Sequence, residues 1–326
     1  MKTEDAEPHN EKHPSRRDFL RWGLLGAGAL LGTAGVYTVV EHTKTPEYLT
    51  ERSNEFSKIP DWRQDFSDMP EGRIDSSLWH YDTAPEVPGY NNEQQGYTDW
   101  LQNVRIEEGT GLVIEAHERE YRYPNDPEGR EYQYTSGRID TRNSLSFEYG
   151  KIEAVMKLPS GEGAWPAFWL LSGNEVHTIN EDFSEEQKEE EGHYTRDGEV
   201  DILESRGSAP NIVEATVHTF NNTKANGDQR GKTRAVTVKD ATHTFHTYGA
   251  EITPENIIFT IDNVPFHTFV KKSENPDDWP FGNNNQFYVI LNLAMGGDMG
   301  GKINPANGPW RLEVADLAFY NYTGNR

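Results

Sequence analysis

Short apolar or alternating runs recur along this chain, separated by clusters of Gly, Asn, Asp and Pro. Runs of this kind between turn-forming residues are typical of β-strands. No stretch after residue 45 shows the apolar period of a long amphipathic helix. The runs that we interpret as strands are Val104–Ile106, Leu112–Ala116, Ile152–Leu158, Ala167–Leu171, Glu199–Leu203, Ile212–His218, His246–Ile252, Ile257–Asp262, Phe287–Ala294 and Leu312–Tyr320. So many short strands predict an all-β fold in which two sheets stack as a β-jelly-roll sandwich.

Composition narrows the functional classes. Hydrophobic residues make up 34% of the 326 residues and the mean hydropathy is −0.84, which excludes a protein that crosses a membrane many times. Cysteine is absent, so disulfides, thiol nucleophiles and Cys-ligated zinc are excluded. Aromatic residues reach 11%, and an aromatic-rich, polar β-protein is suited to a flat, polar ligand.

The charge balance is strongly acidic, because 54 Asp and Glu against 31 Lys and Arg give a net charge of −23. Residues 1–45 hold six charged residues of each sign, so the whole excess belongs to residues 46–326. A field of this sign repels nucleic acid and anionic membrane surfaces. We therefore expect a neutral substrate and no nucleic-acid partner.

The amino-terminal segment has the features of an export signal. Arg16 and Arg17 are followed by Phe19 and Leu20, and an uncharged run extends from Trp22 to Val40. This arrangement resembles a twin-arginine signal, which implies the Tat export machinery as a partner and delivery of a folded protein across the cytoplasmic membrane. The same run is nearly long enough to span a bilayer, so a retained membrane anchor is the alternative.

These features divide the chain into three parts. Residues 1–45 are predicted to be the signal or anchor, residues 46–60 a polar linker, and residues 61–326 one β-sandwich domain. We expect the protein to be exported as a monomer, to the periplasm, to the medium or to the outer side of the membrane that tethers it.

Three carboxylates alternate with apolar residues near position 200. Glu199 and Asp201 fall on one face of a strand, because side chains alternate along it. Glu204 would fall on the other face of a regular strand, and one extra residue at Ile202–Leu203, a β-bulge, returns it to the carboxylate face. Two carboxyl groups about 5 Å apart are what retaining glycosidases use, one as nucleophile and one as acid. An acidic, solvated strand face is the alternative interpretation.

Blocks on both sides of this strand resemble glycoside hydrolase family 16 in the family's order. The stretch Glu199–Glu204 is similar to the bulged E-x-D-x-x-E signature, and the nearest branch resembles the laminarinase-type endo-β-1,3-glucanases. The other blocks that carry the resemblance are Ile74–Trp79, Tyr90–Gln94, Tyr134–Arg138, Tyr149–Ala154, Gly163–Leu171, Phe245–Tyr248 and Phe287–Gly297. Two segments depart from the pattern: Thr195–Asp197 replaces a usual W-P pair and Met299 a usual aromatic, so another glucan or a galactan-type polymer stays open.

The resemblance implies a role for each carboxylate in an open concave cleft. Glu199 corresponds to the nucleophile, Asp201 to the assisting aspartate and Glu204 to the acid/base. The implied reaction is the endo-acting cleavage of β-1,3-glucan of the laminarin type, or of mixed-linkage β-glucan, by double displacement with retention. This chemistry requires no cofactor.

Further residues are predicted to bind the sugar chain, because aromatic rings stack on pyranose C–H faces and Asn or Arg bonds hydroxyl groups. The residues that match such positions are Asn91, Asn92, Arg138, Trp165, Trp169 and His218. The alternatives are core packing for the tryptophans, turn positions for the asparagines, a surface arginine, and a histidine without catalytic importance. The family also suggests a structural Ca²⁺, for which Asp65 and Asp316 are candidate ligands.

Two other functions would use the same fold. A transglycosylase that remodels wall or exopolysaccharide would keep the same carboxylates and differ only in its acceptor. A non-hydrolytic carbohydrate-binding protein would commonly lack the catalytic glutamates, and both are present here. Zinc-protease, P-loop and serine-hydrolase motifs do not occur in the sequence.

Overall fold

The computed structural model describes residues 55–84, 91–173, 197–222 and 233–325. Strands dominate these residues, and the helices among them are single turns. The strands are β1 (Trp62–Asp65), β2 (His80–Tyr81), β3 (Gln95–Tyr97), β4 (Val104–Glu107), β5 (Gly111–Tyr121), β6 (Tyr132–Ser136), β7 (Arg138–Asp140), β8 (Ser146–Phe147), β9 (Gly150–Lys157), β10 (Ala164–Ser172), β11 (Glu199–Ser205), β12 (Ile212–His218), β13 (Arg234–Thr237), β14 (His246–Ile252), β15 (Asn256–Ile261), β16 (Val264–Val270), β17 (Phe287–Met295) and β18 (Trp310–Asn321). The predicted all-β class is confirmed.

The strands form two large sheets, as the jelly-roll prediction requires. The ten-stranded sheet has the order β16-β15-β14-β9-β18-β5-β6-β3, with β1 beside β18 and β4 beside β5. The eight-stranded sheet has the order β13-β12-β11-β10-β17-β7-β2, with β8 beside β17. Among the described strands the pairing is antiparallel except between β3 and β6. Strands β10, β11 and β12 follow one another both in the chain and in this sheet, so the carboxylate strand β11 lies between two sequence neighbours, whereas β10 pairs on its other side with the distant β17.

The core lies between the two sheets. Strand β9 of the ten-stranded sheet alternates regularly between buried and half-buried residues, so one of its faces packs inward. All nine residues of β17 are buried, as expected for a strand in the middle of a stacked sheet. Phe168 on β10 and Val200 and Leu203 on β11 belong to the same apolar cluster. These residues pack one face of the eight-stranded sheet into the core, and Glu199 and Glu204 of β11 are half-buried rather than part of that cluster.

The apolar runs locate the long strands well and the short polar ones poorly. Ile212–His218 and His246–Ile252 have the predicted bounds, and the other eight predicted strands differ at their ends. β5 continues to Tyr121, five residues beyond its predicted end. The prediction ended early because these last residues are mostly polar and exposed. The strands without a predicted counterpart are β1, β2, β3, β6, β7, β8, β13 and β16.

The described part of the predicted linker is attached to the domain. Phe56 is buried, pairs with Tyr322 across an isolated bridge and lies edge-to-face against its ring at 5.7 Å. The amide of Ser57 donates to the carbonyl of Asn321 at 2.9 Å. Phe56 and Ser57 therefore contact the end of the last strand, and the linker over residues 46–60 stays a prediction. The twin-arginine motif and the rest of the linker lie outside the described residues.

No helix in the described ranges is long and apolar enough to cross a membrane.

Candidate active site

A change of register in β11 brings the three predicted carboxylates together. Asp201 lies opposite Trp169 on β10, whereas Leu203 lies opposite the preceding residue, Phe168, so Ile202 has no partner of its own. The register on the β12 side also shifts between Asp201 and Glu204. This extra residue is a β-bulge, which changes the face of the residues that follow it.

Burial shows which way each side chain of β11 points. Val200, Ile202 and Leu203 are at most 1% exposed and belong to the core. Glu199 and Glu204 are half-buried on the opposite face, with Asp201 buried between them. The strand thus presents two glutamates to solvent on both sides of an enclosed aspartate.

His218 on the neighbouring strand completes the carboxylate group. It lies directly opposite Glu199 in the β11–β12 ladder. Its Nε2 is 2.9 Å from Oδ2 of Asp201 and 3.8 Å from Oε1 of Glu199. Of the residues predicted to bind substrate, His218 is the one that forms ion pairs with the three carboxylates, through Asp201 and Glu199.

The charges of the group shift its protonation equilibria. Burial and the negative charge of Asp201 raise the pKa of Glu199 to about 8 and of Glu204 to about 8, and the positive charge of His218 opposes both shifts. Burial works against a charged His218, but the hydrogen bond and charge of Asp201 outweigh it and raise its pKa to about 10. At neutral pH the site therefore holds an imidazolium, and at least one of the two glutamates is protonated.

Trp165 and Trp169 lie four residues apart on β10 and are both half-buried. Nε1 of Trp165 donates to Oε1 of Glu204 at 3.0 Å, so this tryptophan orients the candidate acid. Nε1 of Trp169 donates to Oδ1 of Asn292 at 2.8 Å. Neither residue belongs to the apolar core cluster, which leaves both on the carboxylate side of the sheet.

Arg138 lies beside Trp169 on the same face. Its guanidinium carbon is 4.9 Å from the ring centroid of Trp169, and its Nε is 3.1 Å from Oδ2 of the buried Asp82. β7 pairs with β17 so that Arg138 faces Asn292. The arginine is 15% exposed in its side chain, which leaves a fixed donor group at the surface of the site.

Asn91 and Asn92 lie on a turn at the other end of the site. Both are exposed and adopt positive φ angles of 57° and 58°, a conformation that Asn tolerates better than most residues. Nδ2 of Asn92 donates to Oδ1 of Asp298 at 2.8 Å. A Cβ on Gly297 would lie 2.8 Å from the carbonyl oxygen of Asn91 and 3.1 Å from the ring of Trp165. Glycine at this position therefore lets the turn approach the tryptophan that holds Glu204.

A buried polar network beside Arg138 was not predicted. Glu93 accepts from Nε2 of Gln95 at 2.6 Å and from the hydroxyl of Tyr97 at 3.2 Å. The Tyr97 hydroxyl in turn accepts from Nδ2 of Asn292 at 3.1 Å. Burial raises the pKa of Glu93, and hydrogen bonds and the charge of Arg138 oppose the shift. The period-two spacing of positions 93, 95 and 97 is the sequence signal that could have indicated this network.

The two candidate calcium ligands, Asp65 and Asp316, both form ion pairs with Arg63. Asp65 and Asp316 are directly opposite each other on β1 and β18. The Arg63 guanidinium donates to Asp316 at 2.7 Å and to Asp65 at 3.1 Å, and Asp65 also accepts from Ser67. Both carboxylates are therefore paired with the same guanidinium in this arrangement. The calcium expectation at these residues stays a prediction.

The fold and the carboxylate group together define a class: a jelly-roll sandwich with two glutamates and an aspartate on one face of an inner strand. Residues 91–309 match the model of the family described as glycosyl hydrolases family 16. This chain belongs to that family.

Three relatives illustrate the similarity. A Beta-glucanase from Rhodothermus marinus is 34% identical over 280 residues, which cover 83% of this chain and 89% of the relative. The X-ray structure of the laminarinase from Rhodothermus marinus has a TM-score of 0.68 and 31% identity, covering 82% of this chain and 98% of that one. A variant of SCLam, a non-specific endo-beta-1,3(4)-glucanase, has a TM-score of 0.69 and 29% identity, covering 82% and 95%. That crystal presents a 1,3-beta-D-cellobiosyl-glucose at the active site.

Proposed function

We propose that this protein is a retaining, endo-acting glycoside hydrolase that cleaves β-1,3-glucan or mixed-linkage β-glucan. The observation that carries the proposal is the bulge at Ile202, because it puts Glu199 and Glu204 on one face of β11 with Asp201 between them. The glucanase relatives and the oligosaccharide in the SCLam crystal support the substrate class.

The first step is glycosylation of the enzyme. A carboxylate oxygen of Glu199 forms a bond to the anomeric carbon while the bond to the leaving glycosidic oxygen breaks. Glu204 gives its proton to that oxygen, so the sugar chain on the leaving side departs as an alcohol. Burial and Asp201 raise the pKa of both glutamates, so one of the two holds a proton near neutral pH, and the proposal assigns that proton to Glu204.

The second step returns the enzyme to its starting state. Glu204, now ionised, takes a proton from water, and the water oxygen bonds to the anomeric carbon as the ester to Glu199 breaks. Trp165 donates to Oε1 of Glu204, and such a bond favours the ionised form that Glu204 takes between the two steps. His218 and Asp201 remain as an ion pair beside the ester. Arg138 and Trp169 supply a donor and an aromatic face for a neighbouring sugar.

Substitution of the nucleophile tests the proposal. Glu199→Gln keeps the size of the side chain and removes its charge, so we expect hydrolysis of laminarin to fall by roughly 10³-fold or more. Glu153→Gln is a matched control, because Glu153 lies on β9 of the ten-stranded sheet and bonds to Tyr320 and Lys151. Near-normal turnover by Glu199→Gln would end the proposal, and wild type that binds laminarin without releasing reducing sugar would favour the binding-protein alternative.

The product distribution separates hydrolysis from transglycosylation. A transglycosylase would use the same carboxylates and transfer the glycosyl group from Glu199 to a sugar hydroxyl instead of water. Chromatography of the products from one oligosaccharide would then show chains longer than the substrate. We expect shorter chains only.

The twin-arginine motif supports export as a second part of the proposal. We propose that residues 1–45 direct the folded protein to the Tat machinery and that the exported domain is a monomer. Replacement of Arg16 and Arg17 by Lys in a Tat-competent host should retain the protein in the cytoplasm, whereas export of that variant at the wild-type level would contradict this. Light scattering on the purified protein should give the mass of one chain.

A further inference from the structure

A second polar pocket lies away from the carboxylates. It has a volume of about 210 Å³, and its lining includes Thr83, Thr98, Asp99, Tyr121, Tyr123 and Asn125. Thr83, Asp99 and Asn125 are exposed and Tyr121 is half-buried, so the pocket opens to solvent. Pockets for drug-sized ligands begin at roughly 300 Å³. This pocket, which we call the Tyr121 pocket, therefore suits one small ring.

Its aromatic wall is fixed in place by neighbouring rings. The Tyr121 ring meets Trp100 at 5.3 Å and Tyr123 at 4.9 Å, both edge-to-face. Arg119 covers the ring of Trp100 at 4.3 Å. A Cβ on Gly96 would lie 2.4 Å from Cδ1 of Tyr121, so only glycine leaves room for this ring position. A ring held in this way offers an apolar surface at little cost in conformational entropy.

The pocket also carries hydrogen-bonding groups that the protein does not use. Within the described ranges, the side chains of Thr83 and Asn125 and the hydroxyl of Tyr121 have no hydrogen-bond partner. The Tyr123 hydroxyl accepts from the amide of Tyr97 at 2.6 Å, which leaves its proton free to be donated. Burial and the charge of Asp99 raise the pKa of Tyr121, so its hydroxyl stays protonated. One aromatic face surrounded by neutral donors and acceptors is the chemistry that recognises a pyranose.

The pocket is connected to the candidate active site through neighbouring and shared residues. Thr83 directly follows Asp82, whose carboxylate is paired with Arg138. Tyr97 links the two regions, because its hydroxyl bonds to Glu93 and its amide bonds to Tyr123. In the sheet order, β2 is four strands from β11, which at ~4.8 Å per strand is about 19 Å.

We propose that the Tyr121 pocket binds one sugar ring of the glucan chain, several units away from the bond that is cleaved. The inference rests on the proposed glucanase function and adds to it a preference for long chains. A polymer that crosses the eight-stranded sheet from β11 to β2 reaches the pocket, and a trisaccharide held at the carboxylates does not.

Kinetics on two substrates test this inference. Wild type, Tyr121→Ala and Asn125→Ala are compared on a long soluble β-1,3-glucan and on a β-1,3-linked trisaccharide. Loss of one aromatic contact is worth about 1 kcal/mol, so Tyr121→Ala should lower kcat/KM on the polymer roughly five- to tenfold, through KM. The trisaccharide should be hydrolysed at the wild-type rate. Asn125→Ala, at an exposed position, should show a smaller change of the same kind.

Tyr320→Ala is the matched control, because it removes a half-buried tyrosine from β18 in the ten-stranded sheet. Any change in kcat/KM that it causes should be the same on the polymer and on the trisaccharide. An equal fall on polymer and trisaccharide in Tyr121→Ala would show a structural effect and overturn the inference, as would no change on the polymer in either pocket variant.

A binding measurement separates this inference from the proposed function. Affinity electrophoresis in gels that contain β-1,3-glucan compares Glu199→Gln with the double variant Glu199→Gln/Tyr121→Ala. Weaker retardation of the double variant supports the pocket even if the wild type hydrolyses nothing. Equal retardation of the two proteins overturns it, whatever the outcome for hydrolysis.

Discussion

At the scale of single residues, the hydrogen bond from Trp165 to Glu204 connects the aromatic strand to the chemistry. Trp165→Phe keeps an aromatic ring and removes the 3.0 Å bond from Nε1 to Oε1. A hydrogen bond to a charged group is worth about 1.5–3 kcal/mol, so we expect kcat to fall roughly tenfold or more while KM changes little. Steady-state kinetics on laminarin check this. A rise in KM with unchanged kcat would assign Trp165 to sugar stacking alone.

His218 supplies the positive charge that opposes protonation of both glutamates. In His218→Gln that charge is lost, so the pKa values of Glu199 and Glu204 should rise. The nucleophile must be ionised and the acid protonated, so both limbs of the pH–rate profile should move to higher pH. A profile of kcat/KM from pH 4 to pH 10 measures the shift. Limbs that stay in place would contradict the electrostatic role of His218.

At the scale of elements, the bulge in β11 decides which face Glu204 occupies. Deletion of Ile202 restores a regular strand in which Glu199, Asp201 and Glu204 alternate with Val200 and Leu203, so the carboxylates stay on one face. We expect this variant to fold and to keep measurable activity, with a loss of stability of about 2–5 kcal/mol for the missing buried side chain.

Deletion of both Ile202 and Leu203 provides the contrast. Glu204 would then take an inward position, where an unpaired carboxylate is costly. We expect no hydrolysis and a lower melting temperature than in the single deletion. Activity of the double deletion on laminarin at the level of the single deletion would contradict the face assignment.

The ten-stranded sheet carries an ion network centred on Glu115. Burial disfavours its charge, but hydrogen bonds from His117 and Arg105 outweigh burial and lower the pKa of Glu115 from 4.5 to about 2. Because the folded-state pKa is the lower one, this stabilisation is complete above pH 4.5 and is lost as the pH falls through about 2. Glu115→Gln should cost about 2–3 kcal/mol at pH 7. Urea unfolding at pH 7 and at pH 3 measures it, and an equal cost at both values would contradict the linkage.

The long apolar strands and the carboxylate alternation could be predicted because they depend on neighbouring residues. Val200, Ile202 and Leu203 mark the buried face of β11, and the bulge follows from the position of Glu204. The Glu93–Tyr97–Asn292 network could not be predicted in this way, since Tyr97 and Asn292 are 195 positions apart and meet only through the sheet order. The anchoring of Phe56 on Tyr322 also joins distant parts of the chain.

At the scale of the whole molecule, the fold brings together groups that are spread over positions 91 to 218 of the sequence. Four strands of the eight-stranded sheet contribute: Arg138 comes from β7, the tryptophans from β10, the carboxylates from β11 and His218 from β12. The turn at Asn91 and Asn92 approaches Trp165 from outside this sheet. Val200, Ile202 and Leu203 pack the other side of the carboxylate strand into the core, which supports the position of the carboxylates.

The stereochemistry of the first product tests the central claim most directly. If Glu199 forms a covalent glycosyl-enzyme and Glu204 activates the water that releases it, two inversions at the anomeric carbon leave the product with the configuration of the substrate. Proton NMR during the first minutes of laminarin hydrolysis should therefore show the β-anomer at the new reducing end before mutarotation produces the α-anomer. Initial appearance of the α-anomer would show a single displacement by water and contradict the assignment of Glu199 as nucleophile.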